Sequence, residues 1–505
     1  MREALLNVLL LLPFVGFLVL LALPRRDHGL IRFTALFFTL ATFLLSLPLA
    51  RIPAAAGFQL ETSIAWIATP PIRYHVGVDG ISLWLVLLTT FLMPIAVLAS
   101  WKHPADRVKE FFAFLLLLEV GMIGVFVALD LFLFYVFWEV TLVPMYFLIG
   151  VWGHERRIYA AVKFFLYTMA GSVLMLAAIL WLYNVTNTLD FPEMLLRLQR
   201  NPALMPGSAQ FLLFLAFFVA FAIKVPLFPF HTWLPDAHVE APTAGSILLA
   251  AVLLKMGAYG LLRFCLPLFP QASREMGPAI SLLAIIGIVY GALVCLVQPN
   301  MKKLVAYSSV SHMGFVVLGI FSFTQIGADG AVYQMLSHGI STGALFLLVG
   351  MLYERRHSLE ISAYGGAATP APGLAAVFLI TSLASGGLPA LNGFVGEFLV
   401  LQGTAEADFR YVVPAALGVI LAAWYLLSLY QRVFLGEPAG ELADITGREL
   451  AAALPLLVMM VWMGVYSQTF LPKISAATNR ILEPIELRVE SAPLRSRFGT
   501  TDHAR

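Results

Sequence analysis

Four charged side chains lie inside apolar stretches that are long enough to cross a membrane: Glu139, Lys224, Lys255 and Glu397. A charge at the centre of a bilayer costs about 2.5–3.5 kcal/mol on insertion scales, so such charges are rare and usually functional. Each of the four lies in a different stretch, and both signs occur. A row of buried groups that can each bind and release a proton predicts a proton path through the protein.

Glu139 and Lys224 form the first candidate pair. Lys224 is followed closely by Pro226 in FVAFAIKVPLFPF, and Glu139 lies in FYVFWEVTLVPMYFLIG. Burial disfavours a charged ammonium whereas a nearby carboxylate favours it, so the proton affinity of Lys224 would follow the position of Glu139. The same side chains would equally serve as a static ion pair that fixes the register of two helices. The sequence leaves both interpretations open.

Lys255 and Glu397 lie in two further apolar stretches. Lys255 is flanked by apolar turns in SILLAAVLLKMGAYGLL, near the middle of its span, where it cannot easily reach the membrane surface. Glu397 follows the glycine-rich segment SGGLPALNGFVG. We expect Glu397 to mark the position where protons leave the path.

Four histidines are candidates for a relay, because histidine titrates closest to neutral pH. Two flank the loop after the Lys224 stretch, and two lie inside predicted spans. A histidine in a helix is also a common hydrogen-bonded packing residue, so each has this second interpretation. The four are His231, His238, His312 and His338.

Other charges have simpler explanations. Lys163 lies near a predicted helix end, and its long side chain is expected to reach the membrane surface. Asp236 and Glu240 precede the helix start at Thr243, which they are expected to cap. Glu119 lies inside a predicted span and is a weaker candidate for the path.

The apolar stretches that must hold these residues dominate the chain. Its 505 residues are 60% hydrophobic and 12% charged, whereas soluble domains carry about 25% charged residues. A helix needs about 20 apolar residues to cross a bilayer, and no run alternates as a membrane barrel strand does. We predict an all-α polytopic membrane protein with about 14 transmembrane helices. They lie near 4–23, 30–50, 80–100, 111–129, 131–152, 158–184, 210–230, 243–265, 278–298, 304–323, 329–353, 374–403, 410–435 and 448–470.

Several kinds of site are excluded by composition. The net charge is +2 without basic runs, so nucleic acid is not a predicted partner. The only cysteines, Cys265 and Cys295, cannot ligate an iron–sulfur cluster, and no nucleotide-binding motif occurs. We expect no cofactor or metal in this chain, so any redox chemistry would belong to partner chains.

The distribution of lysine and arginine predicts the orientation. Loops after odd-numbered spans carry more of them than loops after even-numbered spans, which places the odd loops in the cytoplasm. Both termini would then lie outside. The apolar N-terminal stretch lacks a small-residue cleavage site, and we interpret it as a retained first helix.

Two spans are interrupted in a similar way, which predicts an internal duplication. The stretch 218–238 carries Pro226 and Pro229, and the stretch 382–401 carries Gly386, Gly387, Pro389 and Gly393. Broken helices five spans apart indicate two inverted units. The predicted segments are 1–110 (helices 1–3), 111–265 (first unit, helices 4–8), 266–435 (second unit, helices 9–13) and 436–505 (helix 14 and tail).

The segment 224–263 resembles the antiporter-like subunits of respiratory complex I, and 137–153, 306–316 and 393–401 support the match. Within that family, the glutamate at the Glu397 position resembles subunit M (subunit 4 in mitochondria), since sister subunits L and N carry a lysine. The resemblance implies fourteen helices, two inverted five-helix units, and a path on Glu139, Lys224, Lys255 and Glu397. The equivalents of His312 and His338 would lie on its central axis.

The resemblance also implies a function. The chain would translocate protons as a membrane subunit of NADH-quinone oxidoreductase, with FMN, iron–sulfur clusters and quinone in other subunits. Its partners would include subunits L and N and the lipid bilayer, in a bacterial inner membrane with periplasmic termini. Three alternatives stay open: a subunit of a cation/proton antiporter, a pump linked to a hydrogenase or formate enzyme, and a structural subunit with static ion pairs.

Overall fold

The first half of the chain forms ten helices and a β-hairpin in a computed structural model that describes residues 4–490. Long apolar runs explain most of these helices, and side-chain caps fix several of their starts. The Asp130 carboxylate, for example, accepts hydrogen bonds from the backbone N–H groups of Phe132 and Leu133 and starts the fifth helix. The elements are α1 Leu5–Ala22, α2 His28–Ser46, β1 Gln59–Ile67, β2 Ile72–Val78, α3 Ser82–Ala99, α4 Val108–Val127, α5 Leu131–Trp152, α6 Arg157–Thr186, α7 Phe191–Arg200, α8 Gly207–Lys224, α9 Trp233–Glu240 and α10 Thr243–Leu268.

The second half continues with seven helices. The Thr446 side chain and Glu449 form a reciprocal capping box at the start of the penultimate helix. The elements are α11 Pro270–Leu296, α12 Met301–Ile320, α13 Gln325–Arg356, α14 Pro372–Ser385, α15 Asn392–Phe434, α16 Gly447–Val465 and α17 Leu471–Glu490.

Thirteen of the described helices are long and apolar enough to span a membrane. α15 is counted once there, although its backbone leaves the helical conformation at Asp408. If α15 is divided at that kink, its two parts belong to two spans, and the short α14 joins the first part as one broken span. The count is then the predicted fourteen. The prediction of a polytopic helical membrane protein is confirmed. The inverted repeats and the segment boundaries at 110, 265 and 435 stay predictions.

Both predicted interruptions are present. α8 ends at Lys224, and α9 begins only at Trp233, after the two prolines. α14 ends at Ser385 and α15 begins at Asn392. Between them, Gly387 has a φ of +77°, in the left-handed region that favours glycine. The interrupted span predicted over 374–403 therefore consists of α14 and the first part of α15, and α15 runs on through the segment predicted as the next span, 410–435.

A two-stranded antiparallel hairpin of β1 and β2, in which Ser63 pairs with His75, is an addition to the all-α prediction. It occupies the segment between α2 and α3, and we call its side of the membrane the hairpin side. α7 and α17 are also additions. Residues 1–3 and 491–505, which include both termini and the end of the predicted segment 436–505, lie outside the described residues.

α10 and α13 occupy the centre of the molecule, since other helices enclose them completely. α10 is not a uniform α-helix, because it contains π-helical turns at Leu249–Leu253 and Leu261–Cys265. Such turns occur often at functional sites. Lys255 lies just after the first of them, and His338 lies on α13. The most enclosed helices therefore carry two of the predicted path residues.

Candidate functional site

Lys255 and His338 are in direct contact at the centre of the protein. The Lys255 Nζ atom lies 2.5 Å from His338 Nδ1 and donates a hydrogen bond to the Ala250 carbonyl at 2.6 Å. Lys255 is 0% exposed and His338 is 2% exposed. An imidazole nitrogen and a backbone carbonyl accept two of the three hydrogen bonds that the ammonium can donate, and no carboxylate of the described residues pairs with it.

His312 and Glu397 form a second pair beside the first. The His312 Nδ1 atom lies 2.7 Å from Glu397 Oε1, and Tyr425 Oη lies 3.1 Å from His312 Nε2. Gln334 Nε2 donates to the same carboxylate oxygen at 3.1 Å. All of these side chains are buried. The carboxylate is therefore held on one oxygen, while its Oε2 atom has no partner among the described residues.

The two pairs face each other. The His338 and His312 ring centroids are 5.7 Å apart, and His338 Nε2 has no hydrogen-bond partner among the described residues. Lys255, His338, His312 and Glu397 thus form one row across α10, α13, α12 and α15. A single water molecule is sufficient to bridge two polar groups at such a separation. We call this arrangement the central row.

Lys224 and Glu139 are close but do not form an ion pair. Lys224 is 1% exposed, and its Nζ atom lies 5.1 Å from the ring centroid of Trp138 and 5.7 Å from that of Phe164. Its charge interacts electrostatically with Glu139, whose Oε1 atom is buried without a hydrogen-bond partner among the described residues. The close ion pair that the static interpretation requires is absent, and the ammonium lies over two aromatic rings instead.

His231 and His238 are buried but lie outside the central row. The His238 ring stacks on Phe346 with 4.3 Å between centroids, and His231 lies 5.6 Å from Phe228. None of the four ring nitrogens has a hydrogen-bond partner among the described residues. His238 also interacts electrostatically with Lys255 and Lys302, so it connects the central row with one end of the bundle.

A cavity of about 390 Å³ opens at that end, on the side opposite the hairpin. Lys302 and His154 line it, and Lys302 Nζ donates to the Ala241 carbonyl at 2.5 Å and to the Val239 carbonyl at 3.4 Å. Burial, helped by the charge of Lys302, lowers the pKa of His154 to about 4. The cavity therefore reaches the loop that follows His238.

Several contacts differ from the sequence-based expectations. Lys163, which was expected to reach the membrane surface, has a carboxylate partner and pairs with Asp236 at 2.7 Å. Glu240 does not cap α10, because its carboxylate accepts a hydrogen bond from the backbone N–H of Arg156. Both carboxylate oxygens of Glu119 are buried without a partner among the described residues. Long side chains pair with residues of other helices, and the local sequence pattern does not show which helices lie side by side.

Two residues of the site were missed by sequence reasoning. Gln334 precedes His338 by four residues, so helical periodicity places both on one face of α13. That signal was available. Tyr425 offered none, since an apolar helix such as α15 contains many aromatic residues whose usual position is the membrane interface.

Two family models match most of the chain. The model described as NADH:quinone oxidoreductase/Mrp antiporter matches residues 128–422, and the one described as NADH-ubiquinone oxidoreductase chain 4, amino terminus, matches residues 9–125. NADH-quinone oxidoreductase subunit M of Rhodobacter capsulatus is 49% identical over 483 residues, which cover 92% of this chain and 93% of that protein. NADH-ubiquinone oxidoreductase chain 4 of Arabidopsis thaliana is 43% identical over 485 residues, with 95% and 97% covered.

Solved structures with the same fold include a chain of respiratory complex I from Thermus thermophilus with bound NADH. It is 34% identical, has a TM-score of 0.86, and is matched over 95% of this chain and 100% of that one. A chain of the Mrp complex from Dietzia is 19% identical with a TM-score of 0.83, covering 96% of this chain and 99% of that one. At that identity the likeness shows the fold alone.

Proposed function

Because the chain belongs to the NADH-quinone oxidoreductase subunit M (chain 4) family, we propose that the central row is the part of its proton path that crosses the middle of the membrane. The chain is a proton-translocating membrane subunit of complex I, and the proposal concerns which residues carry the protons. The observation that supports it most strongly is the row itself, in which four protonatable side chains from four helices stand within reach of one another.

We infer the order of transfer from the contacts. The Lys255 ammonium donates to His338 Nδ1, so a proton passes between these atoms without a change of partner. The other nitrogen of that ring, Nε2, has no hydrogen-bond partner among the described residues, and the centroid of the His312 ring lies 5.7 Å from that of His338. His312 in turn contacts Glu397, from which the proton leaves. Each step moves one proton between neighbours, and imidazole serves because it can accept on one nitrogen and donate from the other.

Water completes the row near its exit. Buried polar atoms without a partner surround the second broken helix, and such atoms in folded proteins are usually satisfied by ordered water. The carboxylate and amide oxygens among them can accept hydrogen bonds from that water, and the serine hydroxyls can both accept and donate. These buried atoms are Glu397 Oε2, Gln334 Oε1, Asn392 Oδ1, Ser337 Oγ, Ser382 Oγ and Ser385 Oγ.

In the first unit, the distance between Glu139 and Lys224 controls whether Lys224 holds its proton. The ammonium of Lys224 is buried over aromatic rings and lacks a contacting carboxylate, so its charge depends strongly on the distance to Glu139. Movement of Glu139 towards Lys224 would hold the proton, and movement away would release it towards Lys255. The absence of a close pair in this conformation supports a mobile pair over a static one.

We further propose that protons are taken up at the 390 Å³ cavity and reach Lys255 past His238. Lys302 lines the cavity, and His238, whose two ring nitrogens have no partner among the described residues, interacts electrostatically with both Lys302 and Lys255. His231 lies beside Tyr290 of α11. It would exchange protons with the first unit only through water.

The wider setting follows from the family. The chain works within a multi-subunit membrane complex, and we propose sister subunits L and N among its partners. FMN, iron–sulfur clusters and quinone would be held by other subunits, with no redox centre here. We place the complex in a bacterial inner membrane with both termini of this chain on the periplasmic side.

A test is NADH-driven proton uptake into inside-out vesicles that carry Lys255→Met. We expect pumping to fall by about tenfold or more while the complex still assembles, because the removed ammonium contributes a charged hydrogen bond. The control is Lys303→Met, which should pump normally. Lys303 lies in the first turn of α12, at the end of the helix nearest the cavity, but outside the central row. Normal pumping in both variants would contradict the proposal. Sodium transport without NADH would favour the antiporter alternative instead.

A further inference from the structure

A narrow crevice of about 250 Å³ opens at the membrane-facing surface between α2, α3, α13 and α16. Its walls are apolar and include Phe43, Leu88, Phe91, Ile340 and Met459. Trp462 at its edge is 46% exposed. The crevice lies outside the central row and has no part in the proposed proton path.

One end of the crevice is polar. Trp84 in the first turn of α3 is 6% exposed, yet its indole N–H has no hydrogen-bond acceptor among the described residues. The Nζ atom of Lys473 lies 5.3 Å from the Trp84 ring and donates to the Ala50 carbonyl. An ammonium has three protons to donate, so Lys473 and Trp84 together offer donors to a further acceptor.

The polar and apolar ends lie at different depths. Trp84 is close to the start of α3 on the hairpin side, and Phe91 lies seven residues, or about 10 Å, further along that helix. α2 runs the opposite way, so Phe43 is the deeper residue and Ala50 the shallower one. The crevice therefore runs from a polar mouth at the membrane edge to an apolar interior nearer the middle.

We propose that this crevice binds a phospholipid from the leaflet on the hairpin side. Its phosphate accepts hydrogen bonds from Trp84 Nε1 and Lys473 Nζ, and one acyl chain lies along α3 towards Phe91. An acyl chain would contact the apolar side chains that line the crevice, and the two donors at its polar end suit a phosphate. A free anion would satisfy the two donors but would leave the long apolar wall unfilled.

The test uses the intact purified complex in nanodiscs that contain a phosphatidylglycerol with a photoreactive group in its acyl chain. After illumination, mass spectrometry locates the labelled peptides. We expect labelling at the crevice walls on α3 and α13. Lys473→Met should reduce it by about tenfold, the usual effect of losing a charged hydrogen bond. Trp84→Phe, which removes only the N–H donor, should reduce it by a smaller factor.

Trp424→Phe is the matched control, because Trp424 is an exposed tryptophan on α15, away from the crevice. It should leave labelling at the crevice unchanged. The proposal is overturned if the crevice walls are not labelled, or if Lys473→Met labels as strongly as the unaltered protein. A photoreactive residue at Leu47 that crosslinks to another subunit instead of lipid would also overturn it.

Discussion

The Nζ atom of Lys255 and the Nδ1 atom of His338 are 2.5 Å apart, although 83 residues separate them in the sequence. A lysine in the membrane interior is usually paired with an acid, but this one meets a histidine that is itself buried. Because a neutral imidazole accepts only on its unprotonated nitrogen, an ammonium that donates to Nδ1 requires the tautomer whose proton is on Nε2. The pair can therefore pass a proton without creating a second full charge.

Replacing His338 by phenylalanine should abolish this transfer while it preserves most of the ring volume. We expect NADH-driven proton uptake to fall by about tenfold or more, since Lys255 loses a charged hydrogen bond. Proton uptake and NADH oxidation would be measured in the same vesicles. His28→Phe, at the exposed start of α2 and outside both the central row and the cavity, is the control. Unchanged uptake in His338→Phe would show that protons bypass the ring.

The buried ion pair between Asp79 and Arg263 predicts a stability effect. Arg263 Nη2 donates to Asp79 Oδ2 at 2.5 Å, and the other oxygen accepts from the backbone N–H groups of Ile81 and Ser82 at 3.0 Å each. Asp79→Asn leaves the buried guanidinium unpaired and should destabilise the chain by about 3–5 kcal/mol. The amount of chain in the membrane and the melting temperature of the complex measure this loss.

A second change tests the cause of that loss. If the unpaired charge is responsible, then adding Arg263→Gln to Asp79→Asn should restore part of the stability, because no buried charge is left. Asp408→Asn breaks an exposed ion pair with Arg410 and should have little effect. A double variant less stable than Asp79→Asn would contradict the explanation.

The hairpin should loosen as the pH rises. Burial lowers the pKa of His75, but its hydrogen bonds and charge interactions with Asp190 and Glu61 raise it more, so the pKa lies above the usual 6.5. Asp190 belongs to the start of α7 and Glu61 to β1, and both accept from the protonated ring. Protonated His75 thus stabilises the folded state fully below pH 6.5, and this is lost as the pH rises through the folded value.

Hydrogen–deuterium exchange of residues 59–78 in the intact complex measures this effect. Exchange, corrected for its intrinsic pH dependence, should be faster at pH 8.5 than at pH 6. In His75→Gln the difference should disappear, because glutamine does not titrate. A pH dependence that persists in the variant would assign it to another group.

Much of this architecture was predictable from local sequence signals. Long apolar runs gave the helices, and the prolines after Lys224 and the glycines before Glu397 gave both interruptions, because these residues break a helix wherever it lies. The hairpin at 59–78 was not predicted, since its strands lie in a segment between spans. The continuation of α15 past Asp408 was also missed, because hydropathy does not report where one helix joins the next.

The site was predictable in part. The four charges were identified because charge in an apolar run is conspicuous, and His312 and His338 followed from their position in spans. Their partners were not identifiable, because a contact such as Lys255 with His338 depends on how two helices pack. The expected contact between Glu139 and Lys224 is replaced by the ring of Trp138, a neighbour that no charge pattern indicates.

The π-helical turn before Lys255 has a consequence for the membrane interior. The carbonyl of Ala250, inside that turn, accepts a hydrogen bond from Lys255, five residues later in the same helix. The helix thereby solvates its own cation with a dipole that carries no net charge and cannot be titrated. An ammonium group can then reside at the centre of the bilayer without a permanent counterion. Whether the Lys255 amine holds or releases its proton then depends on the charges that approach from neighbouring helices.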